Sequence, residues 1–535
     1  MKVWRVLRWF VLVLVLLVVG VAAWAGWHVR DRHRGYELNL FVPEDPNQPA
    51  SQLEAGFGKA SITPEGYDWA VDVDGNARYE PAKGDSFVDV NGNGRFDPIW
   101  LAGFHNDRAA AGVHDDIWAR AMVLDDGRVR LALVALDAIG FMHDDVVDVR
   151  ELVPEEWGID QVVIHAIHDH EVPDLIGIWG RDPFHSGVDS RYRRFVHEAV
   201  VKAIGQAVDG LRPTVVTRWQ IDEIPEGLAV DTRPPYVYDL GVRVLRFVDA
   251  ETGDPQGSLL AWANHPEALG SDNLLITADF VGYFRDYVER GVVWNGEQMY
   301  KGLGGIAVYV NGALGGLLTP LHTETVHPFT GEKLTETSFE KADAIGLSLA
   351  IQVLANQDKA VRVEAPVLSV AARTFKVALS NPYFQLGGAL GVLERGWAGW
   401  KKLRTEVDLI RLGEVAILCI PGEIYPEIVV GGIEHPAGAD FDVAPVEVPP
   451  LFDLLEAKMK ILVGLANDEI GYIIPQSEWD QKPPYLYNAK KSPYGEINSL
   501  GPETGPTVYA AVRALLEAYQ QWESGSRQRK PMLPL

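Results

Sequence analysis

The stretch VVIHAIHDHEVPD, Val162 to Asp174, sets His165, His168 and His170 within six residues at the end of an apolar run. In an extended chain successive side chains point to opposite faces. His168 and His170 then share a face with Val162, Ile164 and Ala166, while His165 looks the other way. Two neutral imidazoles side by side are natural ligands for a borderline-soft metal. A pair of buried, hydrogen-bonded histidines is the other reading, and further ligands must come from elsewhere in the chain. Three later stretches each end an apolar run on a donor: LLAWANHPEALG on His265, VAILCIPGEIYPE on Glu423, and GLANDEIGYIIP on Tyr472 behind a glycine. Functional side chains gather where strands stop and loops begin. A catalytic zinc takes about three protein ligands and leaves a position for water. Singly, His265 also reads as a turn residue before Pro266, Glu423 as half of a surface ion pair, and Tyr472 as core.

A second constellation is made of oxygens. DVNGNGRFD supplies Asp89, Asn91, Asn93 and Asp97 on alternating positions, with Gly94 at the sixth place. Oxygen donors at the first, third and fifth positions with a glycine at the sixth are what a calcium loop requires. Trp100 stands at position twelve where an EF-hand has glutamate, so Asp97 would have to replace it. DVDGN, Asp72 to Asn76, offers a weaker second loop. The competing reading of both is a set of polar Asn-Gly turns.

The elements that must carry these residues are legible as periodicities. RVRLALVALD (128–137) reads as a buried strand leading to the strand that enters the histidine cluster, and SLLAWANH, GIAVYVNG, VDLIRLG and EVAILCIPGE read as strands too. Val196, Val200, Ile204 and Ala207 recur at helical spacing, with Gly210 and Pro213 behind them. In the last helix Val508, Val512, Leu515 and Tyr519 form one stripe. Strands and helices mingle without a repeat, which gives one large mixed α/β (α+β) body over residues 53–522, followed by a frayed tail, 523–535.

Composition narrows the partners. The net charge of the 535-residue chain is −26, and no basic stripe or Gly-rich phosphate loop is present, which excludes nucleic acid. Lys2, Arg5 and Arg8 (1–8) precede an uncharged run to Trp27, so residues 9–27 read as one transmembrane helix with the bulk of the chain extracytoplasmic. Its length favours an uncleaved signal-anchor. Ala23 and Ala25 also form a cleavage pattern, and cutting after Ala25 would release the body. Residues 28–52 are polar and Pro-containing and read as a linker. Cys419 is the only cysteine, so no internal disulfide forms, and VAILCIP marks it as a small core residue.

The order of these stretches resembles the neutral, non-lysosomal ceramidase family. The likeness runs from GFGKASITP through ARAMVLDDGRVRLALVALD, IHDHEVP and SRYRRFVHEAVVKAIGQAVDGLRPTVV. It continues with AWANHPEALGSDNLLITADFVGY, NGALGGLLTP, IPGEIYPE and YGEINSLGPETGP, covering most of residues 55–522. The resemblance implies a ceramidase-like fold and a zinc amidase acting on an N-acyl amide lipid or another small amide. Carried over residue by residue, it implies zinc ligands at His168, His265, Glu423 and Tyr472. It sets His170 beside the metal, Tyr494 on the scissile carbonyl, and Arg233 in DTRPPYVYD as the family's arginine. IHDHEVP departs from the family's Thr-His-Thr-His-Ser-Gly-Pro, adding Asp169 and Glu171 near the metal, and GGLLTP loses an acid and carries Thr319 for serine. The family's immunoglobulin-like domain has no counterpart here. These departures leave two rivals to a ceramidase: a zinc hydrolase of the same fold acting on a different amide or ester, and a membrane-tethered binding protein without turnover.

Overall fold

A computed structural model describes residues 2–525, so positions 526–535 of the expected tail lie outside the described residues. Arg130–Leu136 is apolar after its first residue, and both of its faces are covered. Leu131, Leu133 and Ala135 enter one buried cluster, and Ala132, Val134 and Leu136 enter another. Val415–Cys419 divides in the same way: Val415, Ile417 and Cys419 share the first cluster, while Ala416 and Leu418 enter a third. This two-residue alternation buries both faces of each strand. The first cluster fills the interior between two sheets and also takes in helices Asp279–Arg290 and Phe339–Ala355. The second lies under helix Ser190–Asp209, and the third under helix Thr504–Glu523.

The larger sheet has nine strands, running from Ile306–Asn311 through Pro255–Trp262 to Arg130–Leu136 and Gln161–Ala166 at its far end. The smaller has five: Asn39–Val42, Leu368–Ala378, Lys402–Leu412, Val415–Cys419 and Met459–Val463. Most neighbours are antiparallel. Within these two sheets the parallel pairs are Pro255–Trp262 with Ile306–Asn311, Arg130–Leu136 with Gln161–Ala166, and Val415–Cys419 with Met459–Val463. Parallel strands bring their carboxyl ends to one edge. His168, His265, Glu423 and Tyr472 all follow the carboxyl ends of these strands. The two helical stripes expected from sequence are buried as well: Val196, Val200, Ile204 and Ala207, and Val508, Val512, Leu515 and Tyr519.

Helix Lys2–His28 is long and apolar enough to cross a membrane, and none of its apolar window is buried against the body. The segment that follows corrects the linker expected over 28–52. The Trp397 amide donates to the Val29 carbonyl at 2.9 Å, Asp31 pairs with Arg404 at 2.9 Å, and Asn39–Val42 adds an antiparallel edge strand to Leu368–Ala378. Ion pairs and main-chain bonds carry the first part of this docking, and the short apolar stretch 40–42 completes it, with Val42 in the inter-sheet cluster and the Phe41 ring centroid 6.3 Å from that of Trp522.

Leu133 is wholly buried between the sheets, so Leu133→Ala should cost about 2–5 kcal/mol of unfolding free energy. Leu152→Ala, at a residue 51% exposed, should change it by less than about 0.5 kcal/mol. Denaturant unfolding of both variants in detergent checks the pair; equal losses would contradict the core assignment.

Candidate metal centre

Strand Gln161–Ala166 stops two residues short of His168, whose backbone turns left-handed at φ 67°. A non-glycine residue held there stores about 1–3 kcal/mol of strain and persists only where its surroundings dictate it. The dictating contacts are on hand: the amides of His168 and Asp169 both donate to the Ala138 carbonyl, at 3.0 and 3.2 Å. The extended-chain expectation therefore fails beyond Ala166, yet the rings of His168 and His170 still converge, with centroids 4.9 Å apart. His165 does face away: its Nδ1 lies 2.6 Å from the Gly464 carbonyl and its Nε2 accepts the Asn311 amide at 3.0 Å. Burial lowers its pKa to about 3, so it is a neutral structural bolt between the strand ends.

His168 and His265 are oriented by the same device. Nδ1 of His168 sits 2.6 Å from the Ile139 carbonyl, and Nδ1 of His265 bonds the Leu318 carbonyl. A carbonyl only accepts, so each Nδ1 carries a proton and each Nε2 is the atom turned into the site. Both Nε2 atoms face Glu423, whose Oε2 lies 3.4 Å from His168 Nε2 and 3.1 Å from His265 Nε2, and without a metal the His168 Nε2 proton is directed at this carboxylate. Glu423 stands opposite Tyr472 in a two-residue parallel ladder, and the Tyr472 hydroxyl reaches to 3.5 Å from His265 Nε2. The four sequence candidates thus meet in one buried place.

His170 is arranged differently. Each of the three imidazoles brings a nitrogen within 4.8 Å of the others, but neither nitrogen of His170 forms a hydrogen bond and its Nδ1 lies 3.4 Å from Glu267. Gly103 makes room for this ring, since a Cβ there would stand 2.6–2.8 Å from its atoms. Sequence reasoning missed Glu267, two residues past His265, and Glu469, three residues before Tyr472. Both are buried and line the same cavity, and one Glu469 carboxylate oxygen has no hydrogen-bond partner. Their signal was an acid close to a candidate ligand at a strand end.

The electrostatics are those of a buried, mutually charged cluster. Burial opposes charge on His168, but the Glu423 carboxylate outweighs it and raises the imidazole to about 9. Burial likewise works against ionisation of Glu423, and the neighbouring His168 and His265 hold it down to about 2. Burial and the adjacent imidazoles push His170 well below its ordinary value. Burial, then the Glu423 charge, push the Tyr472 phenol well above 10. Two aimed imidazole nitrogens, a carboxylate and a phenol, all buried, form a donor set that fits a divalent metal with N/O preference.

The remaining candidates fall elsewhere. Tyr494, on the helical turn Tyr494–Ile497, lines the cavity with its ring centroid 6.1 Å from that of Tyr472. Arg233 corrects the expectation of a catalytic arginine. Its guanidinium is buried against Glu496 at 2.7 Å and the Glu478 carbonyl at 2.9 Å, and it does not line the cavity. Because Glu496 belongs to the Tyr494 turn, this pair ties Arg233 to that turn. Asp169 and Glu171 also point away: Asp169 accepts the Glu171 amide at 2.9 Å, and Glu171 pairs with buried Arg108 at 2.7 Å. Asp89, Asn91, Asn93 and Asp97 close on one another, Asp97 accepting both asparagine side chains at 3.2 and 2.7 Å, and these bonds account for the loop's shape.

The metal-centre residues floor a cavity of about 540 Å³ whose other walls are mostly apolar, among them Ile176, Leu379, Phe384, Leu393, Trp397 and Leu403. That volume suits a single drug- or lipid-sized ligand.

No protein-family model matches the sequence. Among solved structures the chain is similar to neutral ceramidase from Pseudomonas aeruginosa, with a TM-score of 0.61 and 15% identity over 91% of this chain and 77% of that one. It is similar also to a ceramidase complexed with C2, with a TM-score of 0.61 and 16% identity over 88% of this chain and 76% of the other. The chain has the neutral-ceramidase fold, and at this identity the likeness is one of fold.

His168 titrates above its usual 6.5, so in metal-free protein its pairing with Glu423 is fully stabilising below that pH and fades as pH rises through about 9. A metal must displace this proton. Uptake of a divalent metal between those limits should release about one proton, with apparent affinity rising with pH. Calorimetry in buffers of different ionisation enthalpy measures this; proton-neutral binding would contradict the site.

Proposed function

We propose that the chain is a membrane-tethered, extracytoplasmic zinc-dependent hydrolase of N-acyl amides, with ceramide-like lipids as its substrate class. One observation carries the reading: two imidazole Nε2 atoms converge on Glu423 at 3.4 and 3.1 Å, at the floor of an apolar cavity, on a ceramidase-like fold. His168, His265, Glu423 and Tyr472 would hold the zinc. When bound, it supplies Lewis acidity, bringing the pKa of a water toward about 7 and polarising a carbonyl.

The remaining chemistry belongs to the chain's own residues. His170, backed by Glu267, carries a proton at Nε2 from the attacking water to the leaving amine nitrogen. The Tyr494 hydroxyl donates to the carbonyl oxygen as negative charge develops there. Arg233, through Glu496, keeps that tyrosine's helical turn in place. The apolar walls seat the acyl chain and exclude water, which strengthens each of these polar contacts. Lys2, Arg5 and Arg8 keep the N-terminus cytoplasmic, so helix Lys2–His28 tethers the body on the opposite side. No calcium enters the proposal, because the Asp89–Asp97 loop is explained by its own hydrogen bonds.

Purified protein is expected to release fatty acid from members of an N-acyl lipid panel, to stop with a chelator and to resume with zinc. His168→Ala and His265→Ala should each lose bound zinc together with activity. Tyr494→Phe should keep the zinc and lower kcat by roughly 10²–10³. Ester cleavage without amide cleavage would redirect the substrate class, and zinc binding without any turnover would leave a binding protein.

A further inference from the structure

The segment 379–404 touches three surroundings at once. Its inner side, Leu379, Phe384, Gly388, Leu393, Trp397 and Leu403, forms the apolar wall of the cavity above the metal centre. Its flank receives the end of the N-terminal helix. A Cβ on Gly388 would lie 3.5 Å from Val29, and one on Gly391 would lie 2.4 Å from the His28 ring. Gly391 also adopts φ 75°, so glycine there both forms the turn and admits the histidine. The Trp397 amide and Arg404 then fasten Val29 and Asp31, as described above. Its outer side is bare: Tyr383 is 71% exposed, Leu386 55% and Trp400 82%. Tyr383 and Leu386 lie three residues apart on helix Pro382–Leu390, so they share one face.

We propose that this segment is a bilayer-facing portal through which the acyl chain of a membrane-resident amide lipid passes from the leaflet into the cavity, with Tyr383, Leu386 and Trp400 seated at the headgroup boundary. The occupant of the exposed face is the membrane itself, because the face is continuous with a helix of membrane-spanning length and apolarity that is fixed to the same segment. The helix end carries its own aromatic collar: Trp24 packs on His28, and Arg30 lies 3.9 Å over Trp27. Tryptophan, tyrosine and arginine are the residues that settle at a membrane–water boundary. A polar linker would let the body tumble above the bilayer. A docked one holds a single wall of the cavity against it. This inference rests on the amide-lipid reading for its substrate and on helix Lys2–His28 for its orientation.

The sole cysteine, Cys419, is fully buried, so Leu386→Cys and Trp400→Cys in the full chain can be labelled selectively with a nitroxide. In phosphatidylcholine nanodiscs both labels should be reached by oxygen and shielded from an aqueous nickel chelate. Labels open to nickel would overturn the portal, whether the patch then faces water or another protein. Leu386→Ser combined with Trp400→Ser should slow cleavage of a long-chain N-acyl lipid in the bilayer by roughly tenfold and leave a short-chain soluble amide unchanged. Equal loss on both substrates would also overturn it. If the unaltered protein cleaves neither, the hydrolase reading fails, and the nitroxide depths still decide the portal.

Discussion

Two backbone carbonyls, those of Ile139 and Leu318, set the protonation of the site. By accepting hydrogen bonds from Nδ1 of His168 and His265 they turn both Nε2 atoms onto Glu423, where a metal can replace a proton. An imidazole free to rotate or exchange tautomers would spend part of its time offering a proton instead of an electron pair. Without a cation the same groups form a buried His–Glu cluster in which burial and attraction pull in opposite directions. The strained backbone at His168 belongs to the same design, because only a left-handed turn lets that residue and Asp169 share the Ala138 carbonyl.

The carbonyls are in place because three parallel strand pairs end on one edge of the two-sheet core. His165 and Asn311 cross-link those ends: His165 bonds Gly464 and Asn311, while the Asn311 side chain reaches the carbonyls of Ile167 and Asn264 at 2.8 and 2.7 Å. The geometry of the four candidate donors is thus inherited from sheet register, and Glu423 meets Tyr472 because their residues are ladder partners. A rigid floor of this kind positions reacting groups more closely than loops alone would. Under the proposed function, lipid entry and exit fall to the apolar wall opposite.

Much of this was legible in the sequence where a side chain's role leaves a period. Strand and helix stripes such as Leu131–Leu136 and Val196–Ala207 emerged as read, because burial imposes spacing. The candidate ligands were legible only as donors at strand ends, and the ceramidase resemblance joined them into a set. Arg233 misled because a motif match places a residue in sequence and says nothing of where its guanidinium is spent, here on Glu496 and Glu478. Glu267 and Glu469 went unseen because one buried acid looks like any surface acid until its surroundings are known. The docking of residues 28–42 was hidden because its ion pairs and edge-strand hydrogen bonds carry no hydrophobic signature and its apolar part, residues 40–42, is too short to show a period.

In the portal proposed above, a pinned segment after the N-terminal helix and an apolar wall built from the same stretch of chain would tie membrane position to the site's access. All of it presumes that the four donors share one metal. X-ray absorption at the zinc edge of the purified chain tests that presumption most directly. The account predicts a first shell of nitrogen and oxygen only, near about 2.0–2.1 Å, with the outer-shell scattering of two imidazoles. Scattering from three imidazoles, a sulfur neighbour, or a protein that retains no zinc would contradict it.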